Sequence, residues 1–220
     1  MIAPRVKICC IGSIEEARLA IHHGASALGM VGPMPSGPGP ITVTLIREIS
    51  EKVPPGVSTF LLTSETSARG IIDIYQKTQV QVLQLVDAVD DKNVYSELRQ
   101  KLPHVKLVQV IHVTGISSIA EALELSVYVD AFLLDSGNPK LAVKELGGTG
   151  RIHDWNISRS IVEQCEKPVF LAGGLNPGNV RDAIEKVQPF GVDICSGLRI
   201  NGILDEQLVI KFMENVKHKK

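Results

Sequence analysis

Two adjacent cysteines, Cys9 and Cys10, close the strand-like run "VKICCIG" at residues 6–12. A thiolate is a proton acceptor, a soft metal ligand and a disulfide former. The pair therefore admits a metal site, a redox device, or one working thiol with a packed neighbour. Much later, the apolar run "AFLLD" ends in Asp135. A carboxylate there either caps the turn "DSGNP" or serves as an acid–base group. A thiol and a carboxyl group with environment-tuned pKa values can exchange protons with two ends of one substrate. Two further turns, "LAGGLNP" with Gly173 and Gly174 and "DICSGL" with Ser196 and Gly197, bring glycine to where backbone N–H groups can approach an anion. Each turn alone is a weak signal, because Gly-Gly mostly marks a bend.

The elements that must position these groups alternate along the chain. Apolar, β-branched runs occupy Val6–Ile11, Ala27–Gly32, Val57–Leu62, Val80–Val86, Val105–Val113, Asp130–Asp135, Pro168–Ala172 and Val192–Ser196. Amphipathic stretches follow at Ile14–His23, Val43–Lys52, Thr66–Lys77, Asn93–Leu102, Ile119–Val127, Trp155–Cys165, Pro177–Val187 and Glu206–Val216. Ser13 with Glu16 has the spacing of a capping box, and Asn176-Pro177 that of a helix start. Strands alternating with helices imply parallel pairing through right-handed crossovers. Eight units without a linker favour one closed (β/α)8 TIM barrel over residues 1–220 rather than an open α/β sheet. Such barrels commonly need about 250 residues, so the loops must be short.

In this fold, chemistry belongs at the carboxyl ends of the strands, and phosphate often sits between the loops after strands seven and eight. Cys9, Cys10, the loop 33–42, Asp87, His112, Asp135, Ser136, Gly173, Gly174, Ser196 and Gly197 all fall at such ends. Alternation then sorts the two thiols: Lys7 and Cys9 share a face, and Ile8 and Cys10 share the other. Apolar Ile8 suits the helix layer, so Cys9 is expected at the barrel mouth and Cys10 behind the strand as a small hydrophobe. Leu133 and Asp135 are expected inward by the same count. Thiols pointing opposite ways make a poor metal pair, and no C-x-x-C or histidine spacing of a zinc site occurs. The "ELGGTGR" segment, with Gly148 and Thr149, is either a cover for the mouth or a plain loop.

Composition narrows the classes. Of 220 residues, 44% are hydrophobic and 21% charged, and the formal net charge is −1. With a pI near 6.6 the chain lacks the field expected of a nucleic-acid or anionic-membrane binder. The terminal "KHKK" reads as a solvated tail. No apolar run reaches the ~20 residues that span a bilayer, and "MIAPRVK" lacks the layout of a secretory signal. Four cysteines are too few for a disulfide scaffold at this length. The expectation is a cytoplasmic protein with free thiols, a monomer or homodimer.

Together, "VKICCIGSIEEARLAIHHGASALGMV", "AFLLDS", "GGTGRIHDW", "LAGGLNPGNV" and "VDICSGL" resemble the phosphoribosylanthranilate isomerase family of tryptophan biosynthesis, in order and nearly end to end. The resemblance implies a cofactor-free Amadori rearrangement of a phosphorylated aminosugar, from aminoaldose to aminoketose. It implies Cys9 as the base at the sugar C2 and Asp135 as the acid at the ring oxygen. It places phosphate on Gly174, Ser196 and Gly197, with Gly173 beside them. Asp193, inward by alternation, is expected to face the substrate, and Gly148, Thr149 and Arg199 are further candidates to bind it. A thiol with a reference pKa of about 8.5 would need modest depression to serve as base at neutral pH.

Several positions depart from the family pattern. Cys10 stands where relatives write glycine after Lys-Ile-Cys. The loop after strand two, "PMPSGPGPIT", lacks the arginine that grips the anthranilate carboxylate, and Val86 and Arg199 replace a usual histidine and acid. Arg199 or Arg151 is the expected compensating cation. Two alternatives therefore stand beside the isomerase: the same chemistry on another phosphosugar, or a barrel that binds a phosphometabolite without turnover.

Overall fold

The computed structural model describes residues 3–35, 37–137 and 152–217. Eight parallel strands alternate with helices: β1 (Arg5–Ile8), α1 (Ile14–His22), β2 (Ala27–Val31), α2 (Val43–Lys52), β3 (Ser58–Thr63), α3 (Ala68–Thr78), β4 (Val82–Leu85) and α4 (Asn93–Lys101) form the first half. The second half is β5 (Lys106–His112), α5 (Ser117–Leu125), β6 (Ala131–Asp135), α6 (Trp155–Gln164), β7 (Val169–Leu171), α7 (Val180–Val187) and β8 (Gly191–Ile194). A 3₁₀ turn at Ser196–Leu198 and a short antiparallel ribbon of β9 (Arg199–Ile200) and β10 (Ile203–Leu204) lead into α8 (Glu206–Lys217). Each strand pairs with the next and β1 pairs with β8, so the sheet closes into the expected (β/α)8 barrel. Among the described residues no helix is long and apolar enough to cross a membrane.

The core has two layers, as strand alternation requires. Ile8, Leu28, Leu61, Leu83, Leu107, Phe132 and Leu134 pack outward against the helices. Phe60, Val82, Val108, Val110, Ala131, Leu133 and Phe170 fill the barrel, with the Phe60 and Phe170 rings edge to face at 5.9 Å.

Two boundaries move from expectation. The first strand ends at Ile8, three residues early, because Cys10 adopts a left-handed conformation. The seventh helix begins at Val180 rather than Pro177. The Asn176 Oδ1 accepts the Gly178 N–H, and the Asn179 Oδ1 accepts the Asn176 N–H, each at 2.8 Å. These side chains hold residues 176–179 as a turn, the competition with helix that asparagine readily wins. At α1, the Ser13 Oγ accepts the Glu16 N–H at 3.1 Å, as a cap should. The Glu16 carboxylate reaches back to the Gly12 N–H at 2.9 Å, which aims it toward the barrel mouth.

Candidate active site

Lys7 and Asp193 are register partners on β1 and β8, and both point into the barrel. Lys7 Nζ lies 2.9 Å from Asp193 Oδ1, with the lysine fully buried. It also stands 5.3 Å from the centre of the Phe60 ring. Space for this lysine and for Cys9 comes from Gly29 on β2. A Cβ there would come within 2.8 Å of Cys9 Sγ and 2.9 Å of Lys7 Nζ. Burial works against the Lys7 charge, but Asp193 and the Cys9 thiol outweigh it and hold its pKa above the usual lysine value.

Cys9 is buried, and burial pushes its thiol up to about 11, further than the neighbouring Lys7 ammonium pulls it down. The expected depression is therefore reversed in the free protein: the lysine is present, but desolvation dominates. Asp135, at the end of β6, is also held above the carboxylate range, chiefly by burial and further by Asp193. The Ser136 N–H donates to Asp135 Oδ1 at 2.7 Å and His112 lies beside it in register on β5, and both oppose that rise without cancelling it. His112 Nε2 is 3.0 Å from the Val86 carbonyl oxygen.

Gly173 and Gly174 both adopt positive φ, 81° and 65°. Side chains would be strained there, and one on Gly173 would come within 3.0 Å of the Ser136 nitrogen and His153 Nδ1. Asn179 Nδ2 donates to the Gly174 carbonyl at 2.9 Å and fixes that peptide. A Cβ on Gly197 would collide with the Leu175 carbonyl, so the turns after β7 and β8 are in direct backbone contact.

One pocket at the strand ends gathers Cys9, Asp135, Gly173, Gly174, Asp193 and Ser196. Gly197 sits behind it as the contact between the two turns. Gly148, Thr149 and Arg151 lie outside the described residues. Among the described residues, no three histidine, cysteine or acidic side chains converge as metal ligands.

Three expectations need correction. Cys10 does not face the helices. It has φ of 60°, and it lines the pocket and packs with the interior side chains. Alternation holds only along regular strand, and the left-handed residue ends β1 and turns the side chain to the mouth. Nor is its thiol free: Cys10 and Cys195 form a disulfide with a Cα–Cα separation of 5.9 Å, within the usual range. Cys9 and Cys165 are free. Arg199 does not line the pocket. Its guanidinium is paired with Glu16 at 2.7 Å and donates to the Cys10 carbonyl at 2.6 Å. The acid-to-arginine change thus supplies a brace beneath the "CC" turn.

Other residues line the pocket too. Gln84, not expected there, is buried with its Oε1 lacking a hydrogen-bond partner among the described residues, while Met34, Gly37 and Pro38 come from the expected loop after β2. A glutamine inside the alternating run "VLQLV" was the signal for Gln84.

A closed parallel barrel whose strand ends collect a buried thiol, a buried carboxyl group and two abutting glycine turns has the architecture of the (β/α)8-barrel enzymes, whose sites lie at that end of the strands. Within that class, the family model for N-(5'-phosphoribosyl)anthranilate (PRA) isomerase matches residues 6–215, and the chain belongs to this family. It is 38% identical over 216 residues to N-(5'-phosphoribosyl)anthranilate isomerase 2 of Methanosarcina mazei, covering 97% of this chain and 94% of that one. Identity to the isomerase of Methanocella arvoryzae is 34%, covering 97% and 98%. Among solved structures, the phosphoribosylanthranilate isomerase of Thermotoga maritima superposes with a TM-score of 0.81 at 28% identity, over 97% and 98% of the chains. A phosphoribosylanthranilate isomerase in complex with reduced 1-(o-carboxyphenylamino)-1-deoxyribulose 5-phosphate gives 0.77 at 27% identity, with the same coverage.

Proposed function

We propose that the chain isomerises N-(5-phosphoribosyl)anthranilate to its aminoketose in tryptophan biosynthesis, in the cytoplasm, with Cys9 as base and Asp135 as acid. The observation that carries this reading is the meeting of both groups with Gly173, Gly174 and Ser196 in one pocket of a family member. Asp135, which keeps its proton to higher pH than an ordinary carboxyl, gives that proton to the ring oxygen. The ring opens to an iminium between C1 and the arylamine nitrogen. Cys9 as thiolate then takes the C2 proton, and the electron pair of that bond neutralises the iminium to give an enolamine. Protonation at C1 and loss of the 2-hydroxyl proton yield the ketose and restore both groups. The iminium's positive charge favours the thiolate when it is needed, in addition to Lys7. The phosphate rests on the turns after β7 and β8, and the aromatic ring against Met34, Pro38 and Val86.

A second reading keeps this chemistry on a substrate without the anthranilate carboxylate. It is favoured by the loop at 33–42, which carries no arginine, and by the commitment of Arg199 to Glu16. Turnover of freshly prepared phosphoribosylanthranilate, compared with the phosphoribosyl arylamine lacking the carboxylate, separates the two. The expected result is turnover of the former, reduced by at least roughly a hundredfold in Cys9→Ala and in Asp135→Asn. No turnover of either substrate by the wild type would sink both readings.

A further inference from the structure

The Cys10–Cys195 bond joins the segments that follow the neighbouring strands β1 and β8, at the pocket wall. Cys10 directly follows Cys9, and Cys195 directly precedes Ser196, the first residue of the 3₁₀ turn. Both cysteines line the pocket, Cys10 buried and Cys195 half-buried, so a small thiol entering the mouth meets the bond from the Cys195 side. The two ends are not equally anchored. The Cys10 backbone is braced by the Arg199 guanidinium on its carbonyl, and Arg199 is held in turn by Glu16. Above it, a Cβ on Gly39 would lie 2.8 Å from Cys10 Cβ, so the loop after β2 sits directly on this residue. Cys195 lies in irregular backbone between β8 and the turn. The covalent bond therefore ties the turn carrying Ser196 to a fixed post.

We propose that Cys10 and Cys195 form a reversible redox modification site whose state sets the affinity of the adjacent turn for the substrate's phosphate. The proposal rests on the phosphate reading given above. In the forward step, one thiolate of a dithiol reductant attacks either sulfur, and its second thiol then displaces the other bond. Two electrons pass to the protein, Cys10 and Cys195 leave as thiols, and the reductant becomes a cyclic disulfide. A small-molecule disulfide reverses the exchange. In a reducing compartment such bonds are transient and commonly sense redox state, which suits a bond that lines a pocket and is half-buried at its Cys195 end. Cutting the tether leaves Cys9 and Asp135 in place but removes the preorganisation of the Ser196–Leu198 turn. Binding and bond formation are then reciprocally linked: whatever factor oxidation adds to phosphate affinity, phosphate adds to the disulfide equilibrium.

The test uses the full chain equilibrated in oxidised or in reduced dithiothreitol. Mass measurement after alkylation should count two free thiols, Cys9 and Cys165, in the oxidised form, and two more after reduction. Inorganic phosphate titrated by calorimetry should bind roughly five- to tenfold more weakly to the reduced form. Cys195→Ser should bind like the reduced form in either buffer, and saturating phosphate should shift the wild-type disulfide equilibrium by the same factor. Persistence of all the thiols in oxidising buffer overturns the proposal, as does equal phosphate affinity in the two forms. Failure of phosphate to bind either form overturns it too, but through the phosphate reading, while the thiol count separately reports whether the bond forms.

Discussion

Lys7 Nζ and Asp193 Oδ1 meet at 2.9 Å inside the barrel, and their neighbours along each strand, Val6, Ile8, Val192 and Ile194, are all apolar and belong to the outward layer. The pair closes the seam between β1 and β8 and sets a positive charge beside Cys9. A buried ion pair contributes little net stability when intact, but leaving one partner alone is costly. Lys7→Met should destabilise the protein by about 3 kcal/mol in urea unfolding. Combining it with Asp193→Leu should recover much of that loss. Because Lys7 lowers the Cys9 pKa, the single variant should also shift alkylation of Cys9 by iodoacetamide to higher pH. An unshifted alkylation profile would refute the electrostatic role.

Turnover should follow a bell in pH. The acidic limb belongs to Asp135, displaced upward by burial, and the alkaline limb to Cys9 at about 11. The singly protonated pair includes the productive form, acid protonated and thiol ionised, throughout the plateau between them. Measuring kcat/KM from acidic pH to pH 11 checks this, and an alkaline limb near the reference thiol value of about 8.5 would contradict the burial argument.

Cys9 should also mark stability. Its folded pKa is raised above the unfolded one, so the contribution of the neutral thiol is complete below the unfolded value of about 8.5. It is lost as pH rises toward about 11. The urea midpoint of the wild type should fall across that window more than that of Cys9→Ser, whose side chain does not ionise there.

Gly29→Ala should impair catalysis far more than folding. The added methyl meets Cys9 Sγ at 2.8 Å and Lys7 Nζ at 2.9 Å. Overpacking of this kind costs typically about 1–3 kcal/mol, whereas displacing the base by an ångström can cost roughly a hundredfold in rate. Unfolding midpoints and kcat for the variant provide the comparison, and a kcat equal to wild type would remove the spacing argument.

Arg199→Met should loosen the mouth without touching substrate. It removes the partner of Glu16 and the donor to the Cys10 carbonyl, at a cost of about 3 kcal/mol for a largely buried pair. The Glu16 pKa is lowered: burial opposes this, but the bonds from Arg199, Gly12 and Leu204 prevail. The stability it confers is therefore present above the unfolded carboxylate value of about 4.3 and lost as pH falls through the folded one. The variant's acid-unfolding curve should show a smaller dependence in that range.

Sequence periodicity was sufficient for the barrel, because alternation of side-chain faces and the β–α rhythm are local consequences of backbone geometry. It was sufficient as well for the inward direction of Lys7, Cys9, Leu133 and Asp135, each of which lies within regular strand or at its end. The glycine turns of 173–174 and 196–197 were legible because positive φ and backbone contact leave few residue choices. Tertiary structure alone decided the rest. Cys10 escaped the parity count because one left-handed residue ends the alternation, and its partner Cys195 is 185 residues away. Arg199 resembled a substrate cation until the fold set Glu16 beside it. The pKa of Cys9 depended on how far desolvation exceeds the pull of Lys7, a balance of burial and distance that no linear pattern encodes.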